Sequence, residues 1–193
     1  MLELQGDFSL HHRILSNIGI NSSSVKLPSD LEGIDGLIIP GGESTTISLL
    51  IDSFNLREPI KNFSKSKPIM GTCAGLILMA NSVRDSKVAP LSLLDITIER
   101  NAYGTQVEST TRMVEFNFNP SLTLELPATL IRAPKITKTS KNINILGEIN
   151  GSPIAVFSNM YLGLSFHPEL NNIDIFHKIL FDSESLVYYR NIN

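Results

Sequence analysis

Apolar positions along the chain follow two periods. Over 45–54 the residues Ile47, Leu50, Ile51 and Phe54 recur at helical spacing, which puts them on one stripe of an α-helix. Similar helix-like stretches cover 8–18, closed by Gly19, then 74–82 and 173–181. Short apolar or alternating runs bounded by turn residues predict strands near 21–27 and at 37–39, 68–70, 95–100, 129–132, 143–149, 154–158 and 161–166. The first half therefore alternates strand with helix, the pattern of a parallel sheet covered on both faces, while the second half is rich in strands.

Composition sharpens this picture without redirecting it. A length of 193 residues with 42% apolar content suits one domain over 1–193 with a sizeable core. The expected architecture is an α/β three-layer sandwich, with a flavodoxin-like, mostly parallel sheet and an antiparallel extension. Chemistry is expected at the carboxyl ends of the parallel strands. A net charge of −3 with no basic cluster argues against nucleic acid as the main partner. No apolar run approaches a bilayer span and the opening residues lack the regions of a signal peptide, so no membrane role is expected. One unpaired cysteine fits a reducing compartment, and the expected location is cytoplasmic. No metal-ligand cluster and no phosphate-cradling Gly-x-Gly-x-x-Gly is present, so the chain is assigned no cofactor and no metal.

That cysteine, Cys73, lies in Gly71-Thr72-Cys73-Ala74-Gly75, between the apolar run Pro68-Ile69-Met70 and the helix-like Leu76-Ile77-Leu78-Met79-Ala80. A strand that turns sharply into a helix between small residues is the form of a nucleophile elbow. A thiol there faces the positive end of a helix dipole, which favours the thiolate and brings cysteine pKa values into a range of about 3.5–7.5. A lone cysteine is more often a small buried hydrophobe, so its partners decide. Downstream, Leu162-Gly163-Leu164-Ser165-Phe166 ends in His167-Pro168-Glu169. In an extended segment residues i and i+2 point the same way, so Glu169 can orient His167, with Pro168 stiffening the link. Cys73, His167 and Glu169 thus fit the roles of nucleophile, general base and tautomer-fixing acid. The other histidines, His11, His12 and His177, fall in helix-like stretches with no acid two residues on, and are expected on the surface or on helix faces. An oxyanion site is offered by Leu37-Ile38-Ile39 followed by Pro40-Gly41-Gly42, where the Gly42 N–H and the Ala74 N–H can hold a developing negative charge.

Five blocks in order carry a resemblance: Pro40-Gly41-Gly42-Glu43-Ser44-Thr45, Gly71-Thr72-Cys73-Ala74-Gly75, Arg100-Asn101-Ala102-Tyr103-Gly104, Ile131-Arg132-Ala133-Pro134 and His167-Pro168-Glu169-Leu170. With the leading Leu4-Gln5-Gly6-Asp7, they resemble the glutaminase subunits of pyridoxal phosphate synthase, which are class I (triad) glutamine amidotransferases. The resemblance implies hydrolysis of L-glutamine to glutamate and ammonia. In that reading Cys73 attacks the amide, His167 protonates the leaving ammonia and then activates water, and Glu169 holds His167. It also implies that Gly42, Glu43, Ser44, Arg100, Ile131 and Arg132 bind glutamine. The implied partner is a (β/α)8-barrel pyridoxal phosphate synthase subunit, which combines the ammonia with a pentose phosphate and a triose phosphate. Pyridoxal phosphate is then the product of the complex.

Two departures from the family pattern stand out: Thr105 replaces a second arginine, and Ser109-Thr110-Thr111 replaces Ser-Phe-Glu. The family also typically opens on an apolar strand such as Ile-Gly-Val-Leu. Here Met1-Leu2-Glu3-Leu4 leaves that strand short by about half an average strand, and it is expected to pair incompletely, either because it is abbreviated or because the start lies upstream. Two other readings compete with the ammonia-supplying glutaminase: a cysteine hydrolase of other γ-glutamyl or peptide bonds, and a catalytically silent subunit that shapes a synthase.

Overall fold

The structure, a computed structural model, describes residues 1–100 and 109–190. In chain order its elements are α1 (Ser9–Asn17), β1 (Leu37–Ile39), α2 (Ser44–Ser53), α3 (Arg57–Ser64), β2 (Ile69–Thr72), α4 (Ala74–Met79), β3 (Ala80–Val83), β4 (Leu94–Glu99), β5 (Thr110–Asn119), β6 (Leu122–Leu130), β7 (Lys135–Thr139), β8 (Asn144–Ile149), β9 (Ser152–Ser158), β10 (Tyr161–Leu164) and α5 (Ile175–Phe181), with short 3-10 turns at Pro28–Leu31 and Pro168–Asn171.

A parallel heart holds the expected chemistry. β2 lies between β1 and β10 and pairs with both in parallel, Ile39 opposite Gly71 and Leu164 opposite Thr72. Every residue of β1 and β2 is buried, because both faces of this part of the sheet are covered. Leu37 and Ile39 pack with Ile47 and Ile51 of α2, Ile60 of α3 and Leu76 of α4, while Ile38 and Met70 pack with Leu15 of α1 and with Phe176 and Ile179 of α5. That period-two division of neighbouring residues between two cores makes the three layers.

The sheet continues as β10-β9-β8-β5-β6, and all of these pairings are antiparallel. The parallel heart with an antiparallel extension is therefore as expected, with the extension supplying more of the strand pairings. A second sheet, β3-β4-β7, flanks it. No described helix is long and apolar enough to cross a membrane.

Local differences from the sequence pattern have local causes. The helix expected over 74–82 ends at Met79, where Ala80 turns extended (ψ 155°) and pairs with Leu94. The strand expected at 129–132 is the end of the longer β6, paired with a strand that the apolar pattern did not mark, β5. β7 and α3 were likewise unmarked. At 21–27 only Val25 pairs, in a single parallel bridge with Leu2. The short first strand still bonds on both sides, Leu2 N–H donating to Ile38 C=O at 2.9 Å and Val25 N–H to Met1 C=O at 2.8 Å.

Candidate active site

β2 delivers Cys73 to the start of α4 with φ 48° and ψ −100°. A non-glycine residue in this left-handed region costs about 1–3 kcal/mol and persists only where its surroundings over-determine it. They do so here: the Cys73 N–H donates to Leu164 C=O at 2.8 Å, tying the bend to the end of β10. On the helix side, a Cβ on Gly75 would stand 1.9 Å from the Ile39 carbonyl oxygen, so only glycine lets α4 start this close to β1. The Cys73 side chain is nearly buried, and its Sγ lies 3.8 Å from the Ile131 carbonyl oxygen at the end of β6.

His167 and Glu169 come to the same place, but not along an extended strand. β10 ends at Leu164 and Glu169 sits in the 3-10 turn Pro168–Asn171, so a turn brings the two side chains together rather than strand alternation. His167 Nδ1 is 2.6 Å from Glu169 Oε1, and Glu169 has no exposed surface. Burial works against the charged imidazole, but the Cys73 and Glu169 side chains outweigh it and raise His167 to about 10. At neutral pH this site favours an imidazolium between a carboxylate and the sulfur, a state that can protonate a leaving amine.

The loop after β1 forms the third wall. A Cβ on Gly41 would stand 2.3 Å from His167 Cε1, so the glycine backbone lies flat against the imidazole. The Gln5-Gly6-Asp7 segment clasps this loop: Asp7 N–H donates to Gly41 C=O at 3.1 Å, and Glu43 N–H donates to Gln5 Oε1 at 2.8 Å. In a trans peptide the N–H of Gly42 points opposite to that committed carbonyl. The Ala74 N–H, at the first position of α4, is one of the helix donors without an intrahelical acceptor.

The expected substrate-binding residues divide. The Glu43 carboxylate caps α2, accepting from Thr45 N–H at 3.1 Å and Thr46 N–H at 2.6 Å. Slight desolvation opposes its ionisation, but bonds from Thr46 and Thr45 prevail and bring its pKa down to about 2. Arg100 joins this clasp, donating to Glu43 Oε1 at 3.0 Å, Thr45 Oγ1 at 3.0 Å and Asp85 Oδ2. Ser44 is buried in the first turn of α2. Ile131 and Arg132 are exposed beside Cys73, with Arg132 at φ 45°. Residues 101–104 of the Arg100 block, and Thr105, lie outside the described residues. The other departure from the family pattern has a visible place: Thr111 Oγ1 is 2.8 Å from Thr129 Oγ1, and Thr129 C=O accepts the His167 N–H at 3.0 Å.

Two histidines lie on helix faces, but on the faces turned inward. His11 and His177 are completely buried, not on the surface, and His11 Nε2 is 3.4 Å from Glu169 Oε2. The signal was present in the apolar spacing: His11 shares its face of α1 with the buried Ile14 and Leu15, and His177 lies among Phe176, Ile179 and Leu180 of α5. His12 does face outward, 2.6 Å from Glu3 Oε1.

With this geometry in place, comparison with known proteins is specific. Residues 1–184 match the SNO glutamine amidotransferase family. The chain is 43% identical over 182 residues to the pyridoxal 5'-phosphate synthase subunit PdxT of Dehalococcoides mccartyi, covering 92% of each chain. It is 41% identical over 173 residues to the subunit of the same name from Shouchella clausii, covering 89% of this chain and 87% of that one. A solved structure described as a glutamine amidotransferase superposes with a TM-score of 0.86 at 33% identity, over 93% of this chain and 94% of that one.

Proposed function

The chain belongs to the SNO glutamine amidotransferase family, and from that premise we propose that it is the glutaminase subunit of a pyridoxal phosphate synthase, hydrolysing L-glutamine to L-glutamate and ammonia in the cytoplasm. The observation that carries this reading is the elbow thiol of Cys73 facing the His167–Glu169 pair. The Cys73 thiolate attacks the side-chain amide carbon of glutamine, and the carbonyl electron pair moves onto oxygen. The N–H groups of Gly42 and Ala74 receive that oxyanion. His167, cationic at rest, gives its proton to the departing nitrogen, which leaves as ammonia, and a thioester remains on Cys73. His167, now neutral, takes a proton from water as the water attacks the thioester, and glutamate leaves while the thiolate and imidazolium are restored. Glu169 holds His167 in one tautomer and orientation throughout.

Glutamine carries a carboxylate and an ammonium at its far end, so its recognition needs charged and backbone groups around the thiol. Gly42, Glu43, Ser44, Arg100, Ile131 and Arg132 supply them. Glu43 and Arg100 act as one unit, since each holds the other and the first turn of α2. The ammonia passes to a partner synthase subunit, a (β/α)8 barrel. The test is glutamine hydrolysis by the full chain with and without that subunit, alongside other γ-glutamyl amides. Glutamine-selective hydrolysis that rises with the partner supports the reading. Equal turnover of other γ-glutamyl bonds points instead to a general cysteine hydrolase, and no turnover in either setting points to a silent subunit.

A further inference from the structure

Behind Glu169 lies a pair of buried histidines with no part in the hydrolysis steps. One carboxylate oxygen, Oε1, is taken by His167. The other, Oε2, has no hydrogen bond among the described residues, although Glu169 is completely buried. An ionised carboxylate oxygen sealed from water without a donor is costly. The group that faces it is His11 Nε2, at 3.4 Å. His11 Nδ1 in turn lies 2.9 Å from His177 Nε2, and Thr72 Oγ1 is 3.4 Å from His11 Nε2. Helices α1 and α5, strand β2 and the turn Pro168–Asn171 thus bring four polar side chains into one dry cluster. No group of His, Cys, Asp and Glu among the described residues is arranged to hold a metal ion.

The protons can be placed. Burial, and then the neighbouring His177 and His167, hold His11 well below the ordinary histidine range. Burial likewise brings His177 down to about 4, against the opposing pull of Asp174. Both rings are therefore neutral at physiological pH and carry one proton each. A carboxylate only accepts, so a favourable contact with Oε2 needs the His11 proton on Nε2. His11 Nδ1 must then accept, and His177 Nε2 must donate to it across the 2.9 Å contact. That leaves His177 Nδ1 as a lone pair: it forms no hydrogen bond, although the nearby Ile173 carbonyl favours a proton there.

We propose that His11 is a positioning residue: with its proton on Nε2 and its ring fixed by His177, it donates to Glu169 Oε2 and holds that carboxylate turned toward His167. At 3.4 Å the contact is longer than a formed hydrogen bond. A small rotation of the carboxylate closes it, and contacts of this kind tighten in substrate complexes. The effect on rate rests on the glutaminase reading above, whereas the proton position does not.

Two measurements on the full chain test it. Nitrogen-15 NMR of the histidine rings is expected to find His11 and His177 both as Nε2–H tautomers. A proton on His11 Nδ1, with His177 instead donating from Nδ1 toward the Ile173 carbonyl, overturns the proposal, since His11 would then present a lone pair to Glu169. In steady-state glutamine hydrolysis with the synthase subunit present, His11→Leu is expected to lower kcat by about tenfold to a hundredfold, with KM within about twofold, the size expected for a lost hydrogen bond to a charged group. His11→Gln, whose side-chain amide offers an N–H at similar reach, is expected to recover most of that loss. Unchanged kcat in His11→Leu, or no recovery in His11→Gln at matched thermal midpoints, overturns the positioning role. A wild-type chain that hydrolyses no glutamine removes the functional reading instead, and the tautomer measurement still decides the proton position. It also decides if the leucine variant does not fold.

Discussion

The parallel heart and the antiparallel extension use the same sheet differently. In β1 and β2 every residue is buried, so each side chain there is fixed by a core on its own side. In β5 the buried residues alternate, Val114, Phe116 and Phe118 facing inward while Met113, Glu115 and Asn117 face out. The heart brings the thiol of Cys73 and, through β10, the imidazole of His167. The extension brings backbone: Ile131 C=O beside the sulfur and Thr129 C=O on the His167 N–H. Strands enclosed on both faces place the thiol and the imidazole, and the far ends of β5 and β6, open on one face over much of their length, belong to the wall beside them.

The sharpest way to break that division is to change the side chains the heart supplies. His167→Asn should remove essentially all glutamine hydrolysis, a loss of about a millionfold for a triad member. Glu169→Gln should cost about a thousandfold to ten-thousandfold while glutamine still binds. The double variant should be little worse than His167→Asn alone, and initial rates at saturating glutamine read all three. Additive losses would mean that the pair does not work as a unit.

Stability separates the two regions next. Phe116→Ala, in the inner face of the extension against Phe166 and Phe176, should destabilise by about 3–5 kcal/mol yet leave kcat of the folded fraction close to wild type. Gly75→Ala, in the heart, forces a Cβ onto the Ile39 carbonyl and should lower both thermal midpoint and kcat, because the elbow must move to make room. If Phe116→Ala lowers kcat as much as Gly75→Ala does, the extension places reacting groups too.

What the sequence disclosed follows the same line. The heart was legible because strands covered on both faces read as short apolar runs between glycines, and because elbow, Pro-Gly-Gly turn and His-Pro-Glu are local patterns. The extension was harder. The alternation in β5 starts only at Val114, after a polar stretch of Ser109, Thr110, Thr111 and Arg112, and the Pro127 in β6 argues against a strand by propensity. β6 tolerates that proline because it is the edge strand of its sheet, with no neighbour on its outer side to need the missing N–H. The burial of His11 and His177 was missed for another reason: a histidine on an apolar helical stripe reads as a face residue until the partner helix is known. The pairing of Glu43 with Arg100 was equally hidden, since it joins two distant loops.

Smaller in effect, the titrating histidines should give stability a maximum in pH. His11 and His177 stay neutral in the fold, so the unfolded chain binds more protons below about 6.5, the ordinary histidine value, and stability falls as pH drops from there toward about 4. His167 is raised to about 10, so its contribution is complete below 6.5 and is lost as pH rises through that value toward 10. Thermal midpoints should peak near 6.5, and Cys73→Ala should flatten the alkaline arm because the sulfur is among the groups that raise His167. Least of all, Met113→Ser on the exposed face of β5 should change stability by no more than about 0.5 kcal/mol and leave kcat untouched, as expected of a side chain that faces away from both the core and the thiol.

Cys73 is the proposed nucleophile for glutamine, and covalent capture is the decisive experiment on that role. Intact and peptide mass spectrometry after treatment with a glutamine-mimicking electrophile should find one adduct, on Cys73, that excess glutamine prevents and that Cys73→Ala does not form. An adduct on another residue, or glutamine turnover by the Cys73→Ala chain, would remove Cys73 from that role.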